Sequence, residues 1–370
     1  MVTDTFDHQR FCDDLGPSSV VHLHEPSSGL RAIVVIDNVA AGASLGGVRM
    51  AADVTVDEVF RLARAMTFKN AGAGLPHGGG KAGILADPRT ADRERLIRAF
   101  ANAIRSLTDY VPGPDMGTDE RCMAWIRDEI GRAVGLPRVL GGIPLDEIGA
   151  TGFGLTACAE VAAPFCDLEL DGARLAIEGL GNVGRPAARF LAEKGVVLVA
   201  ASDSTGAVHD PAGIDVEALI AAKEESGSVT AYPAGEKISN EALFEVPCDI
   251  LIPAARPDCI HEGNADAIQA KLILQGANIP ATAEAEARLH ERGVLVVPDF
   301  IANAGGVICA SVEFHGGSEA GALEQIAGKI VQNTREVLEA VRSENVLPRE
   351  AANRLARRRV EAAMELRRSF

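Results

Sequence analysis

The segment Leu175-Ala176-Ile177-Glu178-Gly179-Leu180-Gly181-Asn182-Val183-Gly184 does most to limit what this chain can fold into. The residues up to Glu178 read as a buried strand and those from Gly184 as a helix, so a G-x-G-x-x-G lies directly between them. Each glycine answers a separate steric demand. Gly179 makes a tight turn, Gly181 lets backbone approach a pyrophosphate, and Gly184 permits close helix–strand packing. The phosphates then meet a helix N-terminus, with Asn182 and Val183 in the same turn. The next strand ends at Asp203, where a carboxylate can accept from the adenosine ribose hydroxyls. The alternative is a turn aspartate within Ser202-Asp203-Ser204-Thr205-Gly206. No lysine or arginine adjoins that strand end, which favours NAD over NADP. No G-x-x-x-x-G-K-[ST] is present, so nucleotide hydrolysis is not supported.

Around this segment the chain alternates strands and helices. Strands are expected at residues 174–178, 196–202, 249–252, 272–274 and 294–297, with a helix over 184–194. Such alternation implies a parallel, doubly wound sheet. The amino-terminal part has a different rhythm. Residues 19–25 and 31–38 read as an antiparallel hairpin joined by Pro26-Ser27-Ser28-Gly29. Thr55-Val56-Asp57-Glu58 is a capping box opening a helix to about Phe68. Helices are also expected over about 90–107 and up to about Val134, and two helices form the tail from Glu319, the second opened by Pro348. A hinge or linker is placed at Gly141-Gly142-Ile143-Pro144.

The amino-terminal part carries its own chemical signal, Phe68-Lys69-Asn70-Ala71-Gly72-Ala73-Gly74-Leu75-Pro76-His77-Gly78-Gly79-Gly80-Lys81. Three consecutive glycines are costly to order and suit tight turning or close approach to a ligand. A lysine carried on such a glycine-studded turn can be desolvated, which lowers its pKa and makes it a usable base. The alternative is a flexible loop with a lysine on it.

Composition narrows the classes. A chain of 370 residues is long enough for two packed domains. Its formal net charge of −16 disfavours nonspecific nucleic-acid binding. Seven scattered cysteines without a C-x-x-C argue against a disulfide framework or a metal site. The stretch Met1–His8 is polar and acidic, unlike a signal peptide, and no apolar run reaches the ~18 residues that span a bilayer. A soluble, cytoplasmic protein is expected.

With a lysine-bearing glycine segment ahead of a dinucleotide domain, the chain resembles the amino acid dehydrogenases that act on glutamate, leucine, phenylalanine or valine. The resemblance runs from about Gly42 to the end. It rests on Gly46-Gly47-Val48-Arg49-Met50, Lys69-Asn70, Gly78-Gly79-Gly80-Lys81, Pro114-Asp115, Ala150-Thr151-Gly152, the glycine fingerprint, Gly276-Ala277-Asn278 and Asn303-Ala304-Gly305-Gly306-Val307. It implies a two-domain α/β fold. Residues 1–140 would form a substrate-binding and oligomerisation domain, with a terminal helix over about 345–370 packing back on it. Residues 141–340 would form a Rossmann-type NAD-binding domain.

The resemblance also implies roles. Lys69 would bind the substrate α-carboxylate, Lys81 would be the catalytic lysine, and Asp115 would assist proton transfer. Gly46, Gly47 and Val307 would line the substrate, while Thr151, Ala254, Asn278 and Asn303 would lie in the cofactor site. For Thr151 the alternative is a helix cap, and for Asn278 a turn. The implied reaction is reversible oxidative deamination of an L-amino acid to its 2-keto acid and ammonia, by a homo-oligomer using NAD, with NADP possible.

Glutamate-type members resemble this chain but carry a lysine before the glycine pair and a serine three residues after the Val of Asn-Ala-Gly-Gly-Val. Here those positions are Leu45 and Ala310. An unpaired carboxylate buried against them would cost several kcal/mol, so a leucine-like substrate is expected, with phenylalanine second. His77 could instead bind a polar substrate group, or simply bond to backbone. The segment Ser311-Val312-Glu313-Phe314-His315 looks more like the glutamate branch. The alternatives are a glutamate dehydrogenase with an atypical pocket, a non-catalytic dinucleotide-binding paralogue, or a malic-enzyme-like dehydrogenase, which would need an acidic metal cluster.

Overall fold

The computed structural model describes residues 10–367, and the expectation about Met1–His8 lies outside them. The chain divides into two compact units. Unit one holds the described residues to Pro144, Ala310–Glu319 and those from Leu355 on; unit two holds Leu145–Cys309 and Ala320–Arg354.

Unit one is built on β1 (Ser19–Glu25), β2 (Leu30–Asn38), β3 (Ser44–Ala51), β4 (Gly78–Leu85) and β5 (Tyr110–Pro114), in sheet order β1-β2-β4-β3-β5. β1, β2 and β4 pair antiparallel, whereas β3 is parallel to both β4 and β5. Its helices are α1 (Val56–Gly72), α2 (Arg93–Ala103) and α3 (Glu120–Ile130). Both sheet faces are covered, which explains why β2 reads as a continuous apolar run. Val34 and Ile36 pack with Ile97, Phe100, Met123 and Ile126, while Ile33 and Val35 pack with Val59, Phe60 and Ala63 of α1. Thr55 caps α1, its hydroxyl accepting from Glu58 N at 3.2 Å.

One expectation needs correction here. The glycine run is not a turn: Gly78–Gly80 and Lys81 lie inside β4, the central strand. Its glycines serve close packing, because a Cβ at Gly79 would sit 2.0 Å from Thr67 N of α1, and one at Gly78 would sit 1.7 Å from Asn38 O. β5 tolerates Pro112 and Pro114 because it closes the edge of the sheet. The helix opened at Thr55 continues to Gly72, so Lys69 lies in its last turn.

Unit two is a seven-stranded sheet of β6 (Arg174–Glu178), β7 (Val197–Asp203), β8 (Gly206–His209), β9 (Glu236–Ile238), β10 (Ile250–Pro253), β11 (Leu272–Leu274) and β12 (Leu295–Val297), in order β12-β11-β10-β6-β7-β8-β9. The first five in that order are parallel; β8 and β9 add an antiparallel edge. Strand order reverses beside β6, and such a reversal opens a crevice at the carboxyl ends of the strands. The connecting helices are α4 (Ala150–Ala162), α5 (Gly184–Ala192), α6 (Val216–Ser226), α7 (Ala283–Glu291) and the short α8 (Asp299–Ala302). Then come α9 (Gly305–Phe314), α10 (Glu319–Glu344) and α11 (Pro348–Glu365). No described helix is long and apolar enough to cross a membrane.

Candidate active site

In unit one, β4 carries Lys81 and the end of β5 leads into Asp115. Lys81 Nζ donates to Asp115 Oδ1 at 2.7 Å, and Arg49 of β3 donates from Nε to Asp115 Oδ2, also at 2.7 Å. Arg49 in turn pairs with Glu58 in the first turn of α1. Burial is the largest influence on Lys81 and pulls its pKa below the ordinary lysine value; Asp115 opposes the shift, and Arg49 adds to it. Burial would raise the Asp115 carboxyl, but the charges and hydrogen bonds of Lys81 and Arg49 outweigh it and hold that group low. The pair is thus a desolvated amine beside a carboxylate that stays ionised, an arrangement suited to moving protons.

The glycine pair shapes this corner. A Cβ at Gly47 would lie 2.7 Å from Asp115 Cβ and 3.2 Å from Lys81 Nζ, and one at Gly46 would lie 1.7 Å from Gly80 O. Tyr110, fully buried, donates its hydroxyl to Gly46 O at 2.9 Å and fixes the strand from below. Asn70 ties the end of α1 to the sheet, donating from Nδ2 to Leu45 O (3.1 Å) and Gly78 O (2.7 Å), and so sets the position of its neighbour Lys69. The Asn70 Oδ1 is buried without a hydrogen-bond partner. An orphaned buried acceptor beside the expected carboxylate site calls for a ligand or water.

Leu45 and Ala310 share one apolar cluster with Val111 and Val134, with Ala43 and Met66 packed against it. His77 is buried, its Nδ1 3.1 Å from Ala43 O and its Nε2 3.1 Å from Ser311 Oγ. Nδ1 must donate to that carbonyl, so in the neutral ring Nε2 accepts from the serine hydroxyl. Burial pushes the imidazole pKa down.

In unit two the fingerprint glycines behave differently from one another. Gly179 has φ +94° and would strike Ala255, and a Cβ at Gly184 would lie 2.2 Å from Gly179 O. A Cβ at Gly181 would meet no protein atom within 4 Å, so packing within the chain does not require glycine there. The space it leaves opens into a cavity of about 380 Å³ lined by Gly179, Leu180, Gly181, Asp203, Lys223 and Ala254, among others. That shape fits a dinucleotide phosphate approaching the start of α5. Val183 leads into α5, while Asn182 Nδ2 donates to Asp146 at 3.0 Å.

Asp203 is already engaged. Oδ1 accepts from Thr205 N (2.9 Å) and Thr205 Oγ1 (2.6 Å); Oδ2 accepts from Val229 N (2.8 Å) and lies 3.3 Å from Lys223 Nζ. These contacts occupy about four acceptor positions, all that a carboxylate offers. The remark that no cation adjoins this strand end is corrected by the fold, because α6 delivers Lys223 and the loop after β10 delivers Arg256 to the same cavity. Thr151 lies in the first turn of α4, and Val307 lies in α9. Asn303 donates to Gly276 O, Ala277 O and Asn278 Oδ1, and its own Oδ1 is a second orphaned buried acceptor.

Arg49, Glu58, Asn70, Lys223 and Arg256 join these sites without having been singled out from sequence as site residues. Arg49 and Asn70 stand within segments that carry the family resemblance, but nothing in the sequence joined Arg49 to Asp115, 66 positions away. Among the described residues, no group of three or more His, Cys, Asp or Glu could hold a metal ion.

Residues 141–368 match the family described as Glutamate/Leucine/Phenylalanine/Valine dehydrogenase, and residues 17–132 match its dimerisation domain. The chain is 41% identical over 355 residues to a glutamate dehydrogenase of Aeropyrum pernix, covering 89% of this chain and 85% of that one. It is 38% identical over 307 residues to an NADP-specific glutamate dehydrogenase of Saccharolobus shibatae (79% and 72% covered), and 40% identical over 292 residues to an NAD-specific one of Staphylococcus aureus (75% and 70%). Among solved structures it resembles the leucine-bound hetero-hexameric glutamate dehydrogenase of Thermus thermophilus, with TM-score 0.84, 30% identity and 96% and 91% of the two chains covered. It also resembles L-tryptophan dehydrogenase of Nostoc punctiforme, with TM-score 0.76, 26% identity and 97% and 99% covered. The chain belongs to the glutamate/leucine/phenylalanine/valine dehydrogenase family of amino acid dehydrogenases.

Proposed function

We propose that this protein catalyses the reversible oxidative deamination of L-glutamate to its 2-keto acid and ammonia, with a side-chain pocket unlike that of its relatives. The observation that carries the chemistry is the contact of buried Lys81 with half-buried Asp115 at 2.7 Å. The preference for glutamate rests on the relatives, which are named glutamate dehydrogenases at 38–41% identity. They do not support the leucine-then-phenylalanine order expected from Leu45. A second reading, an apolar amino acid, is favoured by one observation: Leu45 and Ala310 lie in a single apolar cluster.

In this reading Lys69 holds the α-carboxylate as a charged partner. Thr151, Ala254, Asn278, Asn303 and the Gly179–Gly184 turn would hold NAD or NADP, which would accept the hydride from the substrate Cα and leave an imine. Lys81 in its neutral form takes a proton from water as the water oxygen bonds to the imine carbon and the C=N electron pair moves to nitrogen. Asp115 passes protons between Lys81 and the carbinolamine, whose collapse forms the keto C=O and expels ammonia. The use of both cofactors is supported by NAD-specific and NADP-specific relatives and by Lys223 and Arg256 beside Asp203. A homo-oligomer is proposed on the dimerisation-domain match; the Thermus relative supports assembly as such, being a hetero-hexamer. Domain roles follow the same division, with substrate bound by residues 1–140 and nucleotide by 141–340. A cytoplasmic setting fits seven scattered cysteines without a C-x-x-C.

The test is a panel of L-amino acids, and of 2-keto acids with ammonia, run with each cofactor and followed by reduced nicotinamide. Glutamate should have the highest kcat/KM. Leucine or phenylalanine in first place would establish the second reading. Absence of turnover with every amino acid, in both directions and with both cofactors, would sink the assignment and favour a non-catalytic paralogue.

A further inference from the structure

The Lys81–Asp115 pair does not stand alone. It is the inner half of a four-membered chain of alternating charge, Lys81, Asp115, Arg49, Glu58, drawn from β4, the end of β5, β3 and the first turn of α1. Each link is a direct side-chain contact. Lys81 is the most buried of the four side chains, at 5% exposed, and Glu58 the most exposed, at 31%.

Arg49 meets Asp115 through Nε, and its Nη1 points to Glu58. A guanidinium is a rigid planar fork, so a second partner on Nη1 sets the direction from which Nε approaches. The Asp115 backbone is fixed independently, since its N–H donates to Thr118 Oγ1 at 3.0 Å while that hydroxyl donates to Val48 O at 2.8 Å. With Cα fixed by Thr118 and Oδ2 fixed by Arg49, Oδ1 can only face Lys81.

The other ionisable groups near Lys81 are already committed or lie at a distance along their elements. Asp37 of β2, the strand paired with β4, is taken by Arg64 and Thr67. Tyr110 of β5 is fully buried and donates its hydroxyl to Gly46 O, and burial raises its pKa further. Lys69 lies in the last turn of α1, and the charges that act most on Lys81 are those of Asp115, Arg49 and Glu58. The balance of charge on Lys81 is therefore governed by Asp115, Arg49 and, through Arg49, Glu58.

We propose that Arg49, aimed by Glu58, is a positioning residue of the deamination reaction: it fixes the Asp115 carboxylate against Lys81 and keeps that carboxylate ionised while Lys81 cycles its proton. The side-chain partners of Arg49 are the two carboxylates, so in this proposal it acts on the reaction through Asp115. Its positive charge also works against protonation of Lys81, whereas Glu58 tempers that charge. The inference rests on the roles proposed for Lys81 and Asp115.

The two outer residues therefore act in opposite directions, which a purely structural role would not produce. The acid limb of the kcat/KM profile reports the Lys81–Asp115 pair giving up its proton in the free enzyme. Removing the Arg49 charge favours protonated Lys81, so Arg49→Met should move that limb to higher pH by about one unit. Glu58→Gln leaves the Arg49 charge untempered and should move it to lower pH by a smaller amount. Arg49→Lys should return the limb most of the way to its native position while kcat stays reduced, because a point charge lacks the fork that aims Asp115.

The experiment is the pH profile of oxidative deamination for the native protein and these three variants, with thermal melting as a folding check and Lys81→Ala as a control. Opposite shifts for Arg49→Met and Glu58→Gln support the proposal. Unmoved limbs, or shifts in one direction for both, overturn it. If Arg49→Met does not fold, the directions for Glu58→Gln and Arg49→Lys decide alone. Full activity in Lys81→Ala would overturn the reading of the pair itself, whereas an inactive Lys81→Ala with unmoved limbs in the others would overturn only the role of Arg49.

Discussion

The two units solve the same problem, a polar site inside a folded protein, by opposite means. Unit one fills its site with charges that satisfy one another: Lys81, Asp115, Arg49 and Glu58 form a continuous ion chain. Unit two leaves side chains out. Its fingerprint supplies backbone, a left-handed glycine and open space at Gly181. The difference shows what each site is ready for. A chain of paired charges holds a proton donor and acceptor at fixed distance before substrate arrives. A cradle of backbone and open space makes its contacts only when a ligand arrives.

That contrast can be broken in order of expected effect. Lys81→Ala should lower kcat by about 1,000-fold, since a positioned general base commonly contributes 10² to 10⁴; steady-state rates at saturating cofactor check this. Gly47→Ala should cost about 100-fold in kcat, because its Cβ would sit 2.7 Å from Asp115 Cβ and 3.2 Å from Lys81 Nζ and would push the pair apart. Rates near the native value would mean that the pair tolerates displacement and is not the reacting centre. Gly184→Ala should destabilise unit two by about 3 kcal/mol in a denaturant melt, since its Cβ would lie 2.2 Å from backbone at Gly179 O. Lys223→Ala should change kcat/KM by only several-fold, and more for NADP than for NAD, because a 2′-phosphate loses a nearby cation. An equal change for both cofactors would remove Lys223 from phosphate recognition.

The nucleotide half was legible in sequence because its logic is local. Turn, strand and helix lie within ten residues, and β6 runs over Arg174–Glu178 as the apolar pattern indicates. The substrate half was less so. β3 and β5 were hidden by Gly46, Gly47, Pro112 and Pro114, residues that strands ordinarily avoid. They are tolerated here because backbones approach too closely for side chains, as the 1.7 Å between a Gly46 Cβ and Gly80 O makes plain. The same packing placed Lys81 in a central strand instead of a loop. Lys69, Lys81 and Asp115 could be picked out by their motifs; Arg49 and Glu58 also stood in recognisable segments, but their pairing could not be read, because it lies in contacts across the sheet and onto α1. Lys223 was missed for the same reason: it stands twenty residues past Asp203 and returns through α6.

The account divides labour between the units, with proton chemistry in the first and cofactor binding in the second. Cofactor affinity measured directly by titration on Lys81→Ala and Gly181→Ala tests this most sharply. Lys81→Ala should bind NAD as tightly as the native protein while turning over about 1,000-fold more slowly. Gly181→Ala, whose Cβ meets no protein atom, should melt like the native protein, bind NAD at least about tenfold more weakly, and keep its kcat at saturation. Native affinity in Gly181→Ala, or native turnover in Lys81→Ala, would contradict it.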